Sequence, residues 1–358
     1  MNIDFGSSRS KKDERYVLLF GGRGCEREVS ISGACEFLKT AERIGFDFLP
    51  IFIDSEGDFY IFRGRAEDVS KISTRASRKL LVPTALIRYQ GKSGFLSDGE
   101  IIGVKLVFPL LHGDFGEDGV IQGLLTALGI NFVGADNFTG ALTADKVYTK
   151  IIARECGVPT LPEVVLTPEE SFKDAALNIE NRFGFPAFVK PVRLGSSIGA
   201  SVAKSKQELT KSLKTAFKVS KRVMVEPAIF EKRELECAFY NIGKRRIIAP
   251  PGEIRVGSGF YDFDLKYKSG SLAELSVRAQ IPADVRDKII SYSERLANAL
   301  ALRHMARLDY FLLPDGSVYF NEVNTMPGMT GASLYPAMLC GEGLGFSDFI
   351  LSLKEVRD

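Results

Sequence analysis

The run Arg307-Leu308-Asp309-Tyr310-Phe311-Leu312-Leu313, Pro314-Asp315-Gly316-Ser317, Val318-Tyr319-Phe320-Asn321-Glu322-Val323-Asn324-Thr325-Met326-Pro327-Gly328 decides the reading of this chain. Two apolar, aromatic-rich segments flank a Pro-Asp-Gly turn, the pattern of a β-hairpin. Alternate strand residues share a face, so Arg307, Asp309 and Phe311 point one way. Phe320, Glu322 and Asn324 share a face of the second strand by the same rule. A loop at 314–317 pairs Leu313 with Val318, which sets Asp309 opposite Glu322 and Arg307 opposite Asn324. Opposed residues have Cβ atoms roughly 4.5–5.5 Å apart. Two facing carboxylates repel unless a cation lies between them. Oxygen donors without His or Cys suit Mg²⁺, whose shell is completed by water and phosphate. A solvated polar face with an Arg307–Asp309 pair accounts for the same residues, so other segments must decide.

The totals narrow the choice. A length of 358 residues exceeds what a single core usually supports and implies two or three domains. Hydrophobic content of 45% and charged content of 26% are those of an ordinary globular protein. A net charge of +2 argues against a dedicated nucleic-acid surface. No apolar run is long enough to span a membrane. Residues 1–15 are polar, lack the apolar centre of a secretory signal, and read as a disordered leader. The five cysteines include no Cys-x-x-Cys pair and are odd in number, as in a reduced cytoplasmic protein. With His112 and His304 the only histidines, a zinc site is disfavoured.

Along the chain, residues 16–20 form a short strand running into Gly21-Gly22-Arg23-Gly24, followed by a helical pattern to about Ile44. Residues 46–53 and 104–110 are further strands, with Pro50 pushing the former towards a sheet edge. Alternating strands and helices argue for an open, mostly parallel α/β sheet whose ligands bind beyond the strand ends. His112 follows the third strand; taken alone, a structural histidine is the more common outcome. The acidic residues of Gly116-Glu117-Asp118-Gly119 open a helix at 120–128, where its dipole favours them. Residues 131–133 form a short strand, and Asp145 starts a helix through Glu155. Strands follow at 187–191, up to Val202, at 223–226 and at 234–240. Residues 256–270 are rich in Gly, Asp and Tyr and read as a long loop, and 284–302 is an amphipathic helix. The Gly/Ser loop 193–199 joins two strands without a following Gly-Lys-Ser/Thr, which excludes a Walker A loop. It has the form of a flap that covers phosphates, with Lys190 just before it.

In this order the segments resemble the D-alanine–D-alanine ligases of the ATP-grasp superfamily, over nearly the whole chain. The resemblance rests on Phe20-Gly21-Gly22 with Cys25-Glu26-Arg27-Glu28-Val29-Ser30, Leu111-His112-Gly113 with Gly116-Glu117-Asp118-Gly119, and Asp145-Lys146. It continues through Val189-Lys190-Pro191, Gly195-Ser196-Ser197-Ile198-Gly199, Phe260-Tyr261-Asp262, Lys266-Tyr267, the hairpin, and Ser333-Leu334-Tyr335-Pro336. It implies an ATP-grasp fold with an N-terminal open parallel α/β domain at 16–134, a central lid domain at 135–230 and a C-terminal mixed-sheet catalytic domain at 231–358.

The resemblance also implies a reaction and a site. ATP phosphorylates the carboxylate of one D-alanine, and the amine of a second displaces phosphate through a tetrahedral intermediate. Asp309, Glu322 and Asn324 would hold two Mg²⁺ (or Mn²⁺) ions. Lys146 and Lys190 would meet the inner phosphates, Lys266 the γ-phosphate, and Ser197 belongs to the same ATP set. Glu226, Pro227 and Ile229 would contact adenine and Glu234 the ribose. Pro227 departs from the charged residue of many relatives, but it keeps the carbonyl that the adenine amino group needs. Glu26 would pair with the first ammonium and, with Ser196 and Tyr267, tie down the 256–270 loop. Val29 and His112 line that site. Arg307 and the Gly328 N–H would face the oxyanion, and Ser333 with the Leu334 N–H would take the second carboxylate. The implied setting is a cytoplasmic homodimer acting on D-alanine and ATP, without nucleic acid or membrane.

Lysine followed by tyrosine at 266–267 favours D-alanine as second substrate over D-lactate, and over D-serine less strongly. The alternatives are a ligase adding D-serine or D-lactate, and a catalytically inactive nucleotide-binding relative. Retention of Asp309, Glu322, Asn324 and Arg307 disfavours the last.

Overall fold

The computed structural model of the chain describes residues 14–72, 75–195, 197–255 and 274–357. Its first sheet follows from the apolar runs near the N-terminus. Strand β1 (Arg15–Gly21) lies between β2 (Phe48–Ile53) and β6 (Glu100–Pro109), parallel to both. Every residue from Val17 to Phe20 is buried, and alternation sends them to two different cores. Val17 and Leu19 join Ile51, Ile53 and Val107 on one side; Leu18 and Phe20 join Phe37 of helix α1 (Arg27–Arg43) on the other.

This parallel centre matches expectation, but the sheet is not left open. Antiparallel β3 (Phe59–Phe62), β4 (Leu81–Tyr89) and β5 (Lys92–Ser97) carry the path from β2 round to β6 and close it. These strands carry a weak signal in sequence because Pro83 and scattered polar residues interrupt their alternation and much of β4 is only half-buried. Pro50 behaves in a qualified way. β2 is flanked on both sides, yet β3 reaches only Ile51–Ile53, so the proline lies where the outer ladder has stopped.

The second sheet has the order β7-β10-β8-β9, with β7 (Val164–Leu166), β8 (Ala187–Pro191), β9 (Ser201–Ala203) and β10 (Val223–Pro227). Helices α5 (Phe172–Arg182) and α6 (Lys206–Ala216) cover it, contributing Ile179, Leu209 and Leu213 to its core. Between the first two sheets run α2 (Val120–Ala127), α3 (Asn137–Ala144) and α4 (Lys146–Glu155). Residues 131–133 make a single parallel bridge, Val107 to Phe132, instead of a strand.

The third sheet runs β14-β13-β11-β15-β16, with β12 (Arg245–Ile248) also on β11. Its members are β11 (Arg233–Ile242), β13 (Gly252–Arg255), β14 (Glu274–Ser276), β15 (His304–Leu312) and β16 (Val318–Asn324). One face packs on α7 (Ala283–Ala299), where Val285, Ile289 and Leu296 meet Leu308, Tyr310 and Phe320. Two helices end the chain, α8 (Leu334–Gly341) and α9 (Phe346–Ser352). Phe346 and Phe349 return to the first sheet, with ring centroids 6.2 Å from Phe37 and 6.0 Å from Phe108 respectively. The first and third sheets thus share a core that includes Leu18, Phe108, Met305 and Met326. The part of the third sheet that bears Glu236, Arg307 and Asp309 is left open to a cleft, with Glu26, Val29, His112 and Glu117 on the facing wall.

Candidate active site

The hairpin of β15 and β16 forms as its sequence suggests, by an unexpected route. The loop is one residue longer than expected, since Leu312, not Leu313, pairs with Val318. Leu313 instead closes the turn, donating its N–H to the Ser317 carbonyl at 2.9 Å. A bulge at Asn321 then takes up the extra residue and restores Asp309 opposite Glu322 and Arg307 opposite Asn324. The bulge also breaks the expected shared face of β16. Phe320 and Val323 both enter the core against α7, while Glu322 and Asn324 line the cleft.

Across this patch the charges are matched. Arg307 donates from Nε and Nη2 to the two Asp309 oxygens at 2.8 and 2.7 Å, and Asn324 Nδ2 donates to Asp309 at 3.0 Å. Glu236 of β11, which stands beside Asp309, lies 3.2 Å from the Arg307 guanidinium. Burial acts against the charge of this guanidinium, but Asp309 and Glu236 hold its pKa well above the usual arginine value. Glu322 meets the Lys146 ammonium at 3.3 Å, and Lys146 also donates to the Leu194 carbonyl at 2.9 Å. Lys146 is held at the first position of α4 by the residue before it. Asp145 caps the helix by accepting from the Val147 and Tyr148 N–H groups, and pairs with Arg222 at 2.6 Å and Arg193 at 3.1 Å.

A second charged cluster lies behind the wall. Lys190 Nζ is 2.7 Å from Glu226 and 3.3 Å from Oδ1 of the bulge residue Asn321. Lys150, one turn along α4 from Lys146, contacts the other Glu226 oxygen. Burial pushes Lys150 down to about 8 and holds Lys190 well below the usual lysine range.

On the facing wall, Gly21 and Gly22 turn β1 towards α1 at φ values of +94° and +108°. A Cβ at Gly21 would stand 2.2 Å from the Ile53 carbonyl oxygen, so the turn requires glycine there. Ser30 accepts from the Gly21 N–H at 2.8 Å and donates to the Leu110 carbonyl, knitting the ends of β1 and β6 together. Glu26 precedes α1 and its carboxylate lies against Gly113 and Gly195. His112 Nδ1–H donates to the Met326 carbonyl at 3.0 Å. Its Nε2 is buried without a hydrogen-bond partner among the described residues, and burial lowers the imidazole pKa, so the ring is neutral. A Cβ at Gly328 would fall 2.8 Å from Ser333 Oγ, so a side chain there must displace that hydroxyl. Ser333 occupies the N-cap of α8 without a side-chain cap bond, its hydroxyl 2.8 Å from that of Thr330.

A cleft of about 1120 Å³ unites these walls. Glu26, Val29, His112, Lys146, Glu234, Arg307, Asp309, Glu322, Asn324, Gly328, Ser333 and Leu334 all line it. Lys190 and Glu226 lie buried outside its wall, and Ser197, Pro227 and Ile229 do not line it either. Glu234 faces the cleft with its carboxylate 3.0 Å from Lys232. Ser196, Lys266 and Tyr267, with the 256–270 loop, lie outside the described residues. Sequence reading missed Glu236, Lys150, and the turning of Glu117 into the cleft wall. The signals were the acidic alternation on β11, the four-residue step from Lys146 to Lys150, and a second carboxylate in Gly116-Glu117-Asp118-Gly119.

Three sheets around a cleft that sets Lys146 and Arg307 among carboxylates make the fold of an ATP-grasp ligase. The family description "D-ala D-ala ligase N-terminus" matches residues 15–135 and "D-ala D-ala ligase C-terminus" matches 152–355. The chain belongs to the D-alanine–D-alanine ligase family. It is 36% identical over 346 residues to a D-alanine–D-alanine ligase of Thermoanaerobacter sp. strain X514, covering 94% of each. It is 33% identical over 352 residues to D-alanine–D-alanine ligase A of Escherichia coli K12, covering 96% of this chain and 95% of that one. Among solved structures, the VanG D-Ala:D-Ser ligase of Enterococcus faecalis superposes with a TM-score of 0.85 at 34% identity, over 96% of this chain and 99% of that one. The D-alanine–D-alanine ligase of Coxiella burnetii does so at 0.82 and 29%, over 95% and 93%.

Proposed function

We propose that this chain joins two D-alanines into D-alanyl-D-alanine at the expense of ATP, supplying peptidoglycan synthesis, and that the joining takes place over the 307–328 hairpin. The observation that carries the reading is the register placing Asp309 against Glu322 and Arg307 against Asn324, beside Lys146.

Transfer of a phosphoryl group to a carboxylate needs positive charge around the terminal phosphate oxygens. Lys146 brings one ammonium to the cleft wall, and Lys190, buried behind it against Glu226 and Asn321, is the second lysine that resemblance assigns to the inner phosphates, with Lys266 on the γ-phosphate. Asp309, Glu322 and Asn324 fit Mg²⁺ or Mn²⁺, since they offer hard oxygen donors without His or Cys. Two such ions would neutralise charge on the transferring phosphoryl group. Arg307 orients the Asp309 carboxylate with two parallel bonds and offers its charge, with the Gly328 N–H, to a tetrahedral oxyanion. Glu26 receives the first D-alanine's ammonium, with Val29 and neutral His112 beside it. Ser333 and the Leu334 N–H, at the start of α8, receive the second carboxylate, as helix N-termini favour anions. Glu226, Pro227, Ile229 and Glu234 take adenine and ribose, and Ser197 the phosphates. The roles of Ser196, Lys266 and Tyr267 rest on family resemblance.

The setting is a cytoplasmic homodimer. All five cysteines are free, and no helix among the described residues is long and apolar enough to cross a membrane. The likeness to VanG favours one second reading, in which the acceptor is D-serine. One assay separates the two: phosphate release and product identity with Mg²⁺-ATP and D-alanine, alone and mixed with D-serine or D-lactate. D-Alanyl-D-alanine with equimolar phosphate supports the first reading, and a mixed product in excess supports the second. No phosphate with any acceptor refutes both.

A further inference from the structure

Glu117 does not serve the helix dipole to which its position before α2 assigns it. The N-cap of α2 is Gly119, and no acidic residue lies in the first turn. Asp118 serves the turn and the start of the helix, accepting the Phe115 N–H at 2.9 Å and the Val120 N–H at 3.1 Å. Glu117 turns the other way, into the cleft wall, with its side chain 18% exposed. One carboxyl oxygen accepts the Gly113 N–H at 3.1 Å, and the other accepts the Met326 N–H at 3.2 Å.

Met326 is therefore gripped twice from across the cleft. Its N–H goes to Glu117 and its carbonyl to His112, at sequence separations of 209 and 214 residues. The stretch needs such a grip. β16 ends at Asn324, and Pro327 has no N–H to offer a neighbouring strand. Fixing both polar groups of Met326 fixes the direction in which the chain enters Pro327 and Gly328. The same carboxyl also steadies Gly113, against which the Glu26 carboxylate lies.

We propose that Glu117 is a positioning residue for the ligation, acting through Met326 to aim the Gly328 N–H alongside Arg307. The proposal rests on the reading that the oxyanion forms between those two groups. Burial, and then the nearby Glu26, push the Glu117 carboxyl up to about 8, so near neutral pH it holds the loop while adding little negative charge to the cleft. A displacement of about 1 Å at a group facing a transition state costs on the order of a hundredfold in rate, which sets the scale of the effect.

The test uses the full-length enzyme with three variants, Glu117→Ala, Glu117→Gln and Arg307→Ala, measuring kcat, KM for ATP, KM for D-alanine and thermal midpoint. Glu117→Ala should lower kcat by on the order of ten- to a hundredfold with the KM for ATP within about twofold of wild type. Glu117→Gln keeps one acceptor oxygen and should retain more activity than Glu117→Ala; it also serves should the alanine variant fail to fold. Wild-type kcat in Glu117→Ala, or equal loss in the glutamine and alanine variants with ATP KM rising in step, overturns the proposal. Arg307→Ala separates the two layers. If it loses kcat while Glu117→Ala does not, the positioning claim alone falls. If it keeps full kcat, the oxyanion reading falls and this proposal with it.

Discussion

Asp309 and Glu322 stand opposite each other across β15 and β16, and that pairing survives only because Asn321 is bulged out between a long loop and the paired segment. Inserting one alanine between Asn321 and Glu322 should shift the following residues by one, turning Glu322 from the cleft and Val323 into it. Turnover is expected to be lost. An insertion variant with near wild-type kcat would show that the register does not set the site.

Lys150 lies beside Lys190, against Glu226, and donates to the Leu161 carbonyl at 3.3 Å. Replacing it by Met would leave Lys190 as the remaining ammonium at Glu226 and bind that lysine more tightly to the carboxylate. The KM for ATP should rise on the order of tenfold, equivalent to about 1.4 kcal/mol, with a smaller change in kcat. An unchanged ATP KM would assign Lys150 to folding alone.

The elevated Glu117 pKa has a consequence for stability. Its carboxyl rises from the usual 4.5 to about 8 in the folded chain. The folded state then holds a proton that the unfolded state has released between those values, so the contribution of Glu117 is greatest at the acid end and declines as pH rises to about 8. Glu117→Gln lacks this dependence. The difference in thermal midpoint, wild type minus variant, should shrink steadily from about pH 5 to pH 8. A difference that stays flat over this range would show that the carboxyl is ionised throughout.

Gly328→Ala would place a methyl group 2.8 Å from Ser333 Oγ, which is hydrogen-bonded to Thr330. The hydroxyl must yield, so the KM for the second D-alanine should rise while the KM for ATP holds. Unchanged D-alanine kinetics would remove Ser333 from the acceptor site.

The hairpin was legible in the sequence because its chemistry and its alternation agree over many residues. Its pairs are as expected even though the loop is longer and Phe320 faces the core, since loop and bulge each add one residue, on opposite strands of the ladder. The parallel centre of the first sheet was legible from uninterrupted apolar runs such as Val17–Phe20. β3 to β5 were not, because half-buried antiparallel strands leave only a weak alternation. Glu117 was misread for a different reason. An acidic residue before a helix has a sufficient local explanation, and its true partner, Met326, is 209 residues away. Glu236 and Lys150 were hidden likewise, their roles fixed by neighbours on other elements.

The central claim is that ATP is spent on D-alanine over the Asp309–Glu322 pair, and Glu322→Gln tests it most directly. Phosphate release with Mg²⁺-ATP and D-alanine should match D-alanyl-D-alanine formation in the wild type and fall to background in the variant, with its circular dichroism unchanged. Phosphate release by Glu322→Gln at a near wild-type rate would contradict the account.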